Sequence, residues 1–249
     1  MKVLLVGGSG MVGTFITPYL ASQHTLRVLD VVPPRHADLV EYVPGSIAEP
    51  ADVARALEGM DTFVNLVMRS PQGGSVTDQD LTIIRNNYEV NTLGLHLLLW
   101  TAQGMGIRQG VYTSTMSVHF RERTWYPTEE SVALDSPSAY GLTKGLGEQI
   151  CAYFARWFDM RIVGLRITGP RTREAYLAER RNPVHEGLYV TDEEDLARAY
   201  LAAIDSVQVG RARFDAVWIA GDEREETHNL SKARALLGWM PESHKYLDE

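Results

Sequence analysis

The sequence predicts an α/β fold: a doubly wound parallel sheet with a small C-terminal α/β cap. Three observations predict it. Short apolar runs alternate with helical stretches from the first residues onward, which is the pattern of βαβ units and so of a parallel sheet. A glycine-rich turn, Gly7-Gly8-Ser9-Gly10-Met11-Val12-Gly13, separates the first apolar run from the first helical stretch. The chain has 249 residues, 45% of them apolar and 22% charged. That suffices for one large domain, or one domain with a small appendage.

Composition narrows the partners. A net charge of −8 argues against a nucleic-acid partner, because phosphate backbones are held by clustered Lys and Arg. The opening run MKVLLVGG is too short for a membrane span and lacks a cleavage region, so neither a membrane anchor nor a signal peptide is expected. The single cysteine, Cys151, excludes an intrachain disulfide and fits the cytoplasm. The seven histidines show no paired spacing, and no metal is expected.

Lys2–Val6 reads as a buried strand, followed by the glycines and a helical pattern to about Ala21. Glycines at 7, 10 and 13 let a pyrophosphate approach the backbone, and the helix behind them offers free N–H groups and the positive end of its dipole. The next apolar run, Thr25–Leu29, ends in Asp30. An acid about 20 residues beyond such glycines accepts from both ribose hydroxyls of NAD and repels the extra phosphate of NADP. The order strand, glycines, helix, strand, acid is that of a Rossmann-type dinucleotide site, with NAD as the expected cofactor.

A short strand is expected within Asp38–Gly45, a helix over Ala51–Glu58 and a strand over Asp61–Val67. Val67, Met68 and Arg69 then stand at the carboxyl end of a strand, where open parallel sheets bind their ligands. Arg69 opens a loop, and a long helix spans Asp78 to Gln103 with Asn91 inside it. The strand Val111–Thr113 delivers Ser114 and Thr115 to its carboxyl end.

The stretch Ser136–Gln149 holds Tyr140 and Lys144 on a helix read from Ala139 to Phe158. Positions i and i+4 share a helix face. A cation beside a phenol favours the phenolate, so Tyr140 becomes a usable proton carrier near neutral pH. This spacing alone is a common accident on amphipathic helices. It gains meaning from the dinucleotide turn that precedes it.

Together these features resemble the extended short-chain dehydrogenase/reductase superfamily, which includes NAD-dependent epimerases and dehydratases. Asn91-Thr-Leu-Gly94, Leu165-Arg-Ile-Thr-Gly-Pro170, Tyr189-Val-Thr-Asp-Glu-Glu-Asp-Leu-Ala and Leu237-Gly-Trp-Met-Pro241 add to the likeness. The resemblance implies Tyr140 as acid/base, Lys144 as holder of the nicotinamide ribose, and Thr115 as partner of the reacting oxygen. Beside Gly7, Gly10, Gly13 and Asp30, it implies cofactor contacts from Met11, Val12, Ser46 and Ile47. Val67, Met68, Asn91 and Ser114 complete that set. Two departures stand out. Ser46 replaces the usual Asp at the adenine amine, and Asn65 replaces the usual His of the fourth strand.

Residues 1–170 are thus read as the NAD-binding domain, with the catalytic helix, and 171–249 as a small substrate cap whose helix and strand could return to the sheet. The brevity of the cap and its Ser-Lys-Ala-Arg…Leu-Gly-Trp ending resemble uronate dehydrogenases. The expected order in the cap is irregular chain over Arg171–Gly187, a strand over Leu188–Thr191, a helix over Asp192–Ile204, a strand near Ala212–Ile219 and a helix near Asn229–Leu237. Substrate contacts are expected from Arg69, Thr115, Met116, Ser117, Thr168, Arg171 and Arg173, the arginines suiting a sugar carboxylate. Tyr176 and His185 could line the same cleft. Leu95, Leu97–Leu99 and Trp100 leave an apolar surplus that suggests a homodimer. The expected activity is NAD-dependent oxidoreduction of a small sugar or sugar acid. An internally recycling epimerase or dehydratase, and a non-catalytic NAD sensor, are the alternatives.

Overall fold

In the computed structural model, residues 1–69, 79–119, 123–181 and 189–247 are described. The first half runs β1 (Lys2–Val6), α1 (Met11–Ala21), β2 (Thr25–Asp30), β3 (Val40–Pro44), α2 (Pro50–Leu57) and β4 (Thr62–Asn65). Then come α3 (Leu81–Asn87), a π-helical stretch Tyr88–Gly94, α4 (Leu95–Gly104) and β5 (Gln109–Thr115). The second half runs α5 (Ala139–Trp157), β6 (Arg161–Ile167), β7 (Pro170–Arg171), α6 (Arg173–Arg180), β8 (Thr191–Asp192), α7 (Glu193–Ser206), β9 (Arg213–Ile219) and α8 (Ser231–Leu237).

Seven strands form one parallel sheet in the order β3-β2-β1-β4-β5-β6-β9. Side chains alternate across a strand, and both faces are buried. On β1, Val3 and Leu5 join one core cluster, with α1 and α7, while Leu4 and Val6 join the other, with α2, α4 and α5. A parallel sheet covered on both faces needs continuous apolar strands, which is what VLLV and IVGLRI supply. The strand order reverses between β1 and β4, and the crevice outside their carboxyl ends is the expected ligand position.

The structure alters three expectations. The helix read over Asp78–Gln103 is α3, a π-helical stretch and α4. The π-turn carries Asn91 inward, where its bonds to neighbouring elements fix it. Its proposed start, Asp78, lies outside the described residues. Arg171–Gly187 is not irregular where described: α6 forms, with Thr172 accepting from Ala175 N–H as its N-cap. The strand placed at Leu188–Thr191 is the two-residue β8, paired with β7 in a separate small sheet. The strand β9 and helix α7 return to the main sheet, β9 beside β6 and α7 against α1. Among the described residues no helix is long and apolar enough to cross a membrane.

Candidate active site

The glycine turn is built for close approach. Gly7 has φ +80°, and a Cβ there would lie 2.8 Å from the Val67 side chain. A Cβ on Gly13 would lie 2.2 Å from the Gly8 carbonyl oxygen, so glycine lets α1 seat against the turn. Gly7 N–H donates to the Leu29 carbonyl at 2.8 Å, which pins the turn to β2. Asp30 follows on the same strand. Its Oδ2 accepts from Ser9 N–H at 3.0 Å and its Oδ1 from Val32 N–H at 3.3 Å. These bonds leave acceptor capacity at the rim, since each carboxylate oxygen has two lone pairs.

A crevice of about 400 Å³ runs along this turn. Gly7, Gly10, Met11, Val12, Gly13, Asp30, Ser46, Ile47, Val67, Met68 and Arg69 all line it. The sequence-predicted cofactor residues of the first four strands therefore converge on one cavity. A narrow floor that a Cβ would fill, backbone N–H groups at the start of α1 and an acid at the end of β2 fit a dinucleotide pyrophosphate and its adenine ribose. Ser46 is itself fixed: its N–H donates to Asp52 at 3.0 Å, and its hydroxyl accepts from Ala48 N–H at 3.2 Å. The bond from Ser46 N–H, together with Arg55, holds the Asp52 carboxyl below its ordinary range. Asn65 turns its carbonyl back on Val67 N–H at 3.0 Å and so shapes the strand end.

The helix α5 brings the second half of the site. Ser138 caps it by accepting from Gly141 N–H at 3.0 Å, which places Tyr140 in the first turn. Tyr140 is half-buried, and its hydroxyl donates to Met68 Sδ at 3.8 Å, at the end of the crevice. Lys144, one turn on, is 1% exposed. Its Nζ lies 4.4 Å from the Tyr112 ring centre and 3.5 Å from the Val67 carbonyl. Burial pushes the Lys144 amine down to about 7, against the opposing pull of Cys151 and Glu148. Asn91 joins the two halves. Its Oδ1 accepts from Arg69 N–H at 2.9 Å, and its Nδ2 donates to the Arg69 carbonyl at 3.1 Å, to Asn87 at 2.9 Å and to Thr143 on α5 at 3.1 Å.

At the end of β5, Thr115 Oγ1 accepts from Ser117 N–H at 3.1 Å and starts the turn Met116–Val118. Met116 and Ser117 are partly exposed there. Ser114 departs from expectation. It is 1% exposed and donates to Glu148 Oε1 at 2.5 Å, so its hydroxyl is engaged by α5. Neighbouring strand positions face opposite sides, so the adjacent hydroxyls of Ser114 and Thr115 do not both face the crevice. Thr168 donates to the Tyr189 carbonyl at 2.6 Å and contacts Thr191 at 3.0 Å, tying β6 to the chain that leads into β8.

The expected carboxylate clamp is not free. Arg171 pairs with Glu179. Arg173 is held by Asp192 at 2.6 and 2.8 Å and by Glu194 at 2.7 Å, and lies 3.5 Å over the Tyr246 ring. Both guanidiniums brace α6 against neighbouring carboxylates, which satisfies charges that would otherwise go without a partner. Tyr176 is 1% exposed and its phenol is pushed up to about 12 by burial, so it belongs to the core beneath α6. His185 lies outside the described residues. Arg69 is exposed at the crevice.

Sequence reading missed a buried network centred on Glu148. Arg166 pairs with it at 2.7 and 2.9 Å and reaches His119 at 3.1 Å. The available signal was Glu148 standing one turn beyond Lys144. Among the described residues no group of three or more His, Cys, Asp or Glu is placed to hold a metal.

Comparison with known proteins agrees with this geometry. Residues 3–182 match the NAD dependent epimerase/dehydratase family. D-erythronate dehydrogenase of Cupriavidus necator is 27% identical over 66% of this chain and 54% of its own. L-arabinose 1-dehydrogenase of Haloferax volcanii is 27% identical over 67% of this chain and 66% of its own. The chain thus spans little more than half to two thirds of these relatives. NAD-dependent glucose-6-phosphate dehydrogenase of Haloferax volcanii is 23% identical over 97% of this chain and 93% of its own. Among solved structures, a short-chain dehydrogenase/reductase superfamily protein of Agrobacterium tumefaciens with bound NAD superposes with a TM-score of 0.81 at 19% identity, covering 100% of this chain and 95% of that one. A mutated uronate dehydrogenase gives 0.79 at 22% identity, over 99% and 84%. The chain belongs to the NAD-dependent epimerase/dehydratase family.

Proposed function

We propose that the protein is a dehydrogenase that oxidises a hydroxyl-bearing carbon of a small sugar or sugar acid. The observation that carries this reading is the placement of Tyr140. Its hydroxyl donates to Met68, which lines the crevice, and Lys144 stands one turn further along α5. Relatives named for D-erythronate, L-arabinose and uronate support a small, free substrate.

Gly7, Gly10 and Gly13 would hold the pyrophosphate of NAD, Asp30 the adenine ribose and Lys144 the nicotinamide ribose. NAD, when bound, supplies the hydride acceptor. The chain's own residues do the rest. Tyr140, as phenolate, takes the proton of the substrate hydroxyl. Thr115 Oγ1 orients the reacting oxygen. The Lys144 ammonium stabilises the phenolate. Asn91 holds the crevice wall at Arg69 against α5. Arg69, exposed at the crevice, is the cation best placed for a substrate carboxylate now that Arg171 and Arg173 are engaged.

NADH absorbance tests the reading, with NAD and a panel of free hexoses, uronic acids and sugar alcohols. A rise is expected with one class, and Tyr140→Phe should lower it by roughly 100- to 10,000-fold while NADH still binds. Activity retained by Tyr140→Phe would remove Tyr140 from the mechanism. Silence across the panel with NAD bound would favour an internally recycling epimerase, an activity named among the relatives. We also infer a homodimer, formed through the outer faces of α4 and α5. A cytoplasmic location is supported by the free, buried thiol of Cys151.

A further inference from the structure

Glu148 lies one turn beyond Lys144 and two turns beyond Tyr140 on α5. It is 2% exposed, and the proposed reaction gives it no part. A buried carboxylate needs partners, and here they come from other elements. Ser114 on β5 donates to Oε1 at 2.5 Å. Arg166 on β6 closes a two-bond fork, 2.9 Å to Oε1 and 2.7 Å to Oε2. Arg166 then reaches onward, donating to the Glu129 carbonyl at 3.2 Å and to His119 Nε2 at 3.1 Å, while its guanidinium lies 4.8 Å over the Trp218 ring. The strand end bearing Thr115, and the chain that follows it, are tied to the catalytic helix through this one carboxylate.

We propose that Glu148 is a positioning residue: it locks the helix bearing Tyr140 and Lys144 against the strand end bearing Thr115, and sets a carboxylate one helical turn beyond Lys144. This rests on the reading of Tyr140, Lys144 and Thr115 as the reacting set. The geometric argument is short. Ser114 precedes Thr115 in the chain, so the Ser114–Glu148 bond sets the distance between the two groups that must meet on one substrate oxygen. A misplacement of about 1 Å in such a pair costs on the order of 100-fold in rate.

The electrostatic argument goes through the neighbours of Lys144. Among the described residues its amine meets the Tyr112 ring and the Val67 carbonyl. Tyr112 is buried and pushed well up, and its hydroxyl donates to the Lys144 carbonyl at 3.0 Å. Cys151 on the same helix is also pushed well up by burial, so it carries no charge near neutrality. His119 is pushed down to about 4, so it too is neutral there. Tyr140 stands one turn before Lys144. Arg166 lies behind Glu148 and carries the opposite charge. Besides the Tyr140 phenolate, Glu148, at i+4 from Lys144, is the carboxylate among the described residues that favours the ammonium.

Titration of NADH binding by fluorescence, across pH, tests this without a substrate. Wild-type protein should bind NADH well when Lys144 is charged and more weakly above its titration, and Lys144→Met should lack that limb. Glu148→Gln keeps shape and hydrogen bonds but not charge. It should move the limb about one pH unit lower, with the Kd on the acid side unchanged. Glu148→Asp keeps the charge but shortens the arm. It should leave the limb near its wild-type position while kcat, on whichever substrate the panel yields, falls about 10- to 100-fold. Ser114→Ala should lower kcat and leave the limb alone. A limb unmoved in Glu148→Gln, with only a lower melting temperature, would make the network structural and overturn the inference. Should Glu148→Gln not fold, wild-type kcat in both Glu148→Asp and Ser114→Ala overturns it instead. A wild-type protein that binds NADH with no limb at all would sink the underlying assignment of Lys144, a separate failure.

Discussion

Lys144 is held where an amine is least comfortable. Its ordinary value of 10.5 falls to about 7 in the folded chain because burial disfavours the charged form. The unfolded chain therefore binds the proton more tightly between these values. Stability contributed through this group rises as pH climbs from about 7 toward 10.5 and is lowest below 7. Lys144→Met removes the amine and keeps the length of the side chain. The cofactor-free variant should melt higher at pH 7, by about 2–4 °C for each kcal/mol relieved, although NADH affinity drops. Calorimetry that finds a lower melting temperature would mean that the Tyr112 and Val67 contacts outweigh burial. The Tyr140–Lys144 pair was legible in the sequence because helix spacing alone sets it. The partner of Ser114 was not, because it lies on another element and is named only by tertiary packing. The same holds for Arg171 and Arg173, whose carboxylates stand on α6, β8 and α7.

At the level of elements, the junction of β5, β6 and α5 has a pH-sensitive member. His119 Nδ1 bonds the Ala133 carbonyl at 2.5 Å, and a carbonyl can only accept, so Nδ1 carries the hydrogen. Nε2 is then bare and accepts from Arg166. A second proton would set a cation against that guanidinium. Burial already pushes His119 down to about 4 from its ordinary 6.5. Its contribution to stability is present above pH 6.5 and is lost as pH falls toward 4. Urea midpoints should drop between pH 7 and pH 5, and His119→Gln, which can donate to Ala133 and accept from Arg166, should flatten the fall. Equal slopes in both proteins would assign the acid sensitivity to other groups. The strands and most helices were legible in this region, since apolar runs and caps are local. The π-turn was not: hydrophobic spacing does not encode it, and the inward bonds of Asn91 do. The helix α6 was overlooked because its arginines suggested a ligand, although Thr172 stood ready as an N-cap.

At the scale of the whole molecule, α5 presents an apolar face. Leu142, Leu146, Tyr153 and Trp157 are exposed along α5. Leu93 and Trp100 are exposed beside them, with Trp100 packed edge-on to Phe158 and His96 beside Tyr153. Leu95, Leu98 and Leu99, read as part of the apolar surplus, are core residues. Contiguous exposed apolar surface of this kind marks an interface. Sedimentation should give twice the 27.8 kDa chain mass, and Trp157→Glu with Leu146→Glu should return it to one. A wild-type monomer at micromolar concentration would contradict the homodimer. The parallel sheet was legible in outline from the alternation of elements. The return of the chain to that sheet was only an open option, because the cap interrupts the alternation.

That return has a consequence during synthesis. The chain leaves the main sheet after Ile167 and rejoins it only at Arg213, where β9 takes its place beside β6. On the ribosome, six strands emerge before the seventh exists. Until Ile219 has cleared the exit tunnel, the outer edge of RIVGLRI offers unpaired N–H and C=O groups to any neighbouring nascent chain. The last part of the sheet to be translated is the part that covers this edge of β6.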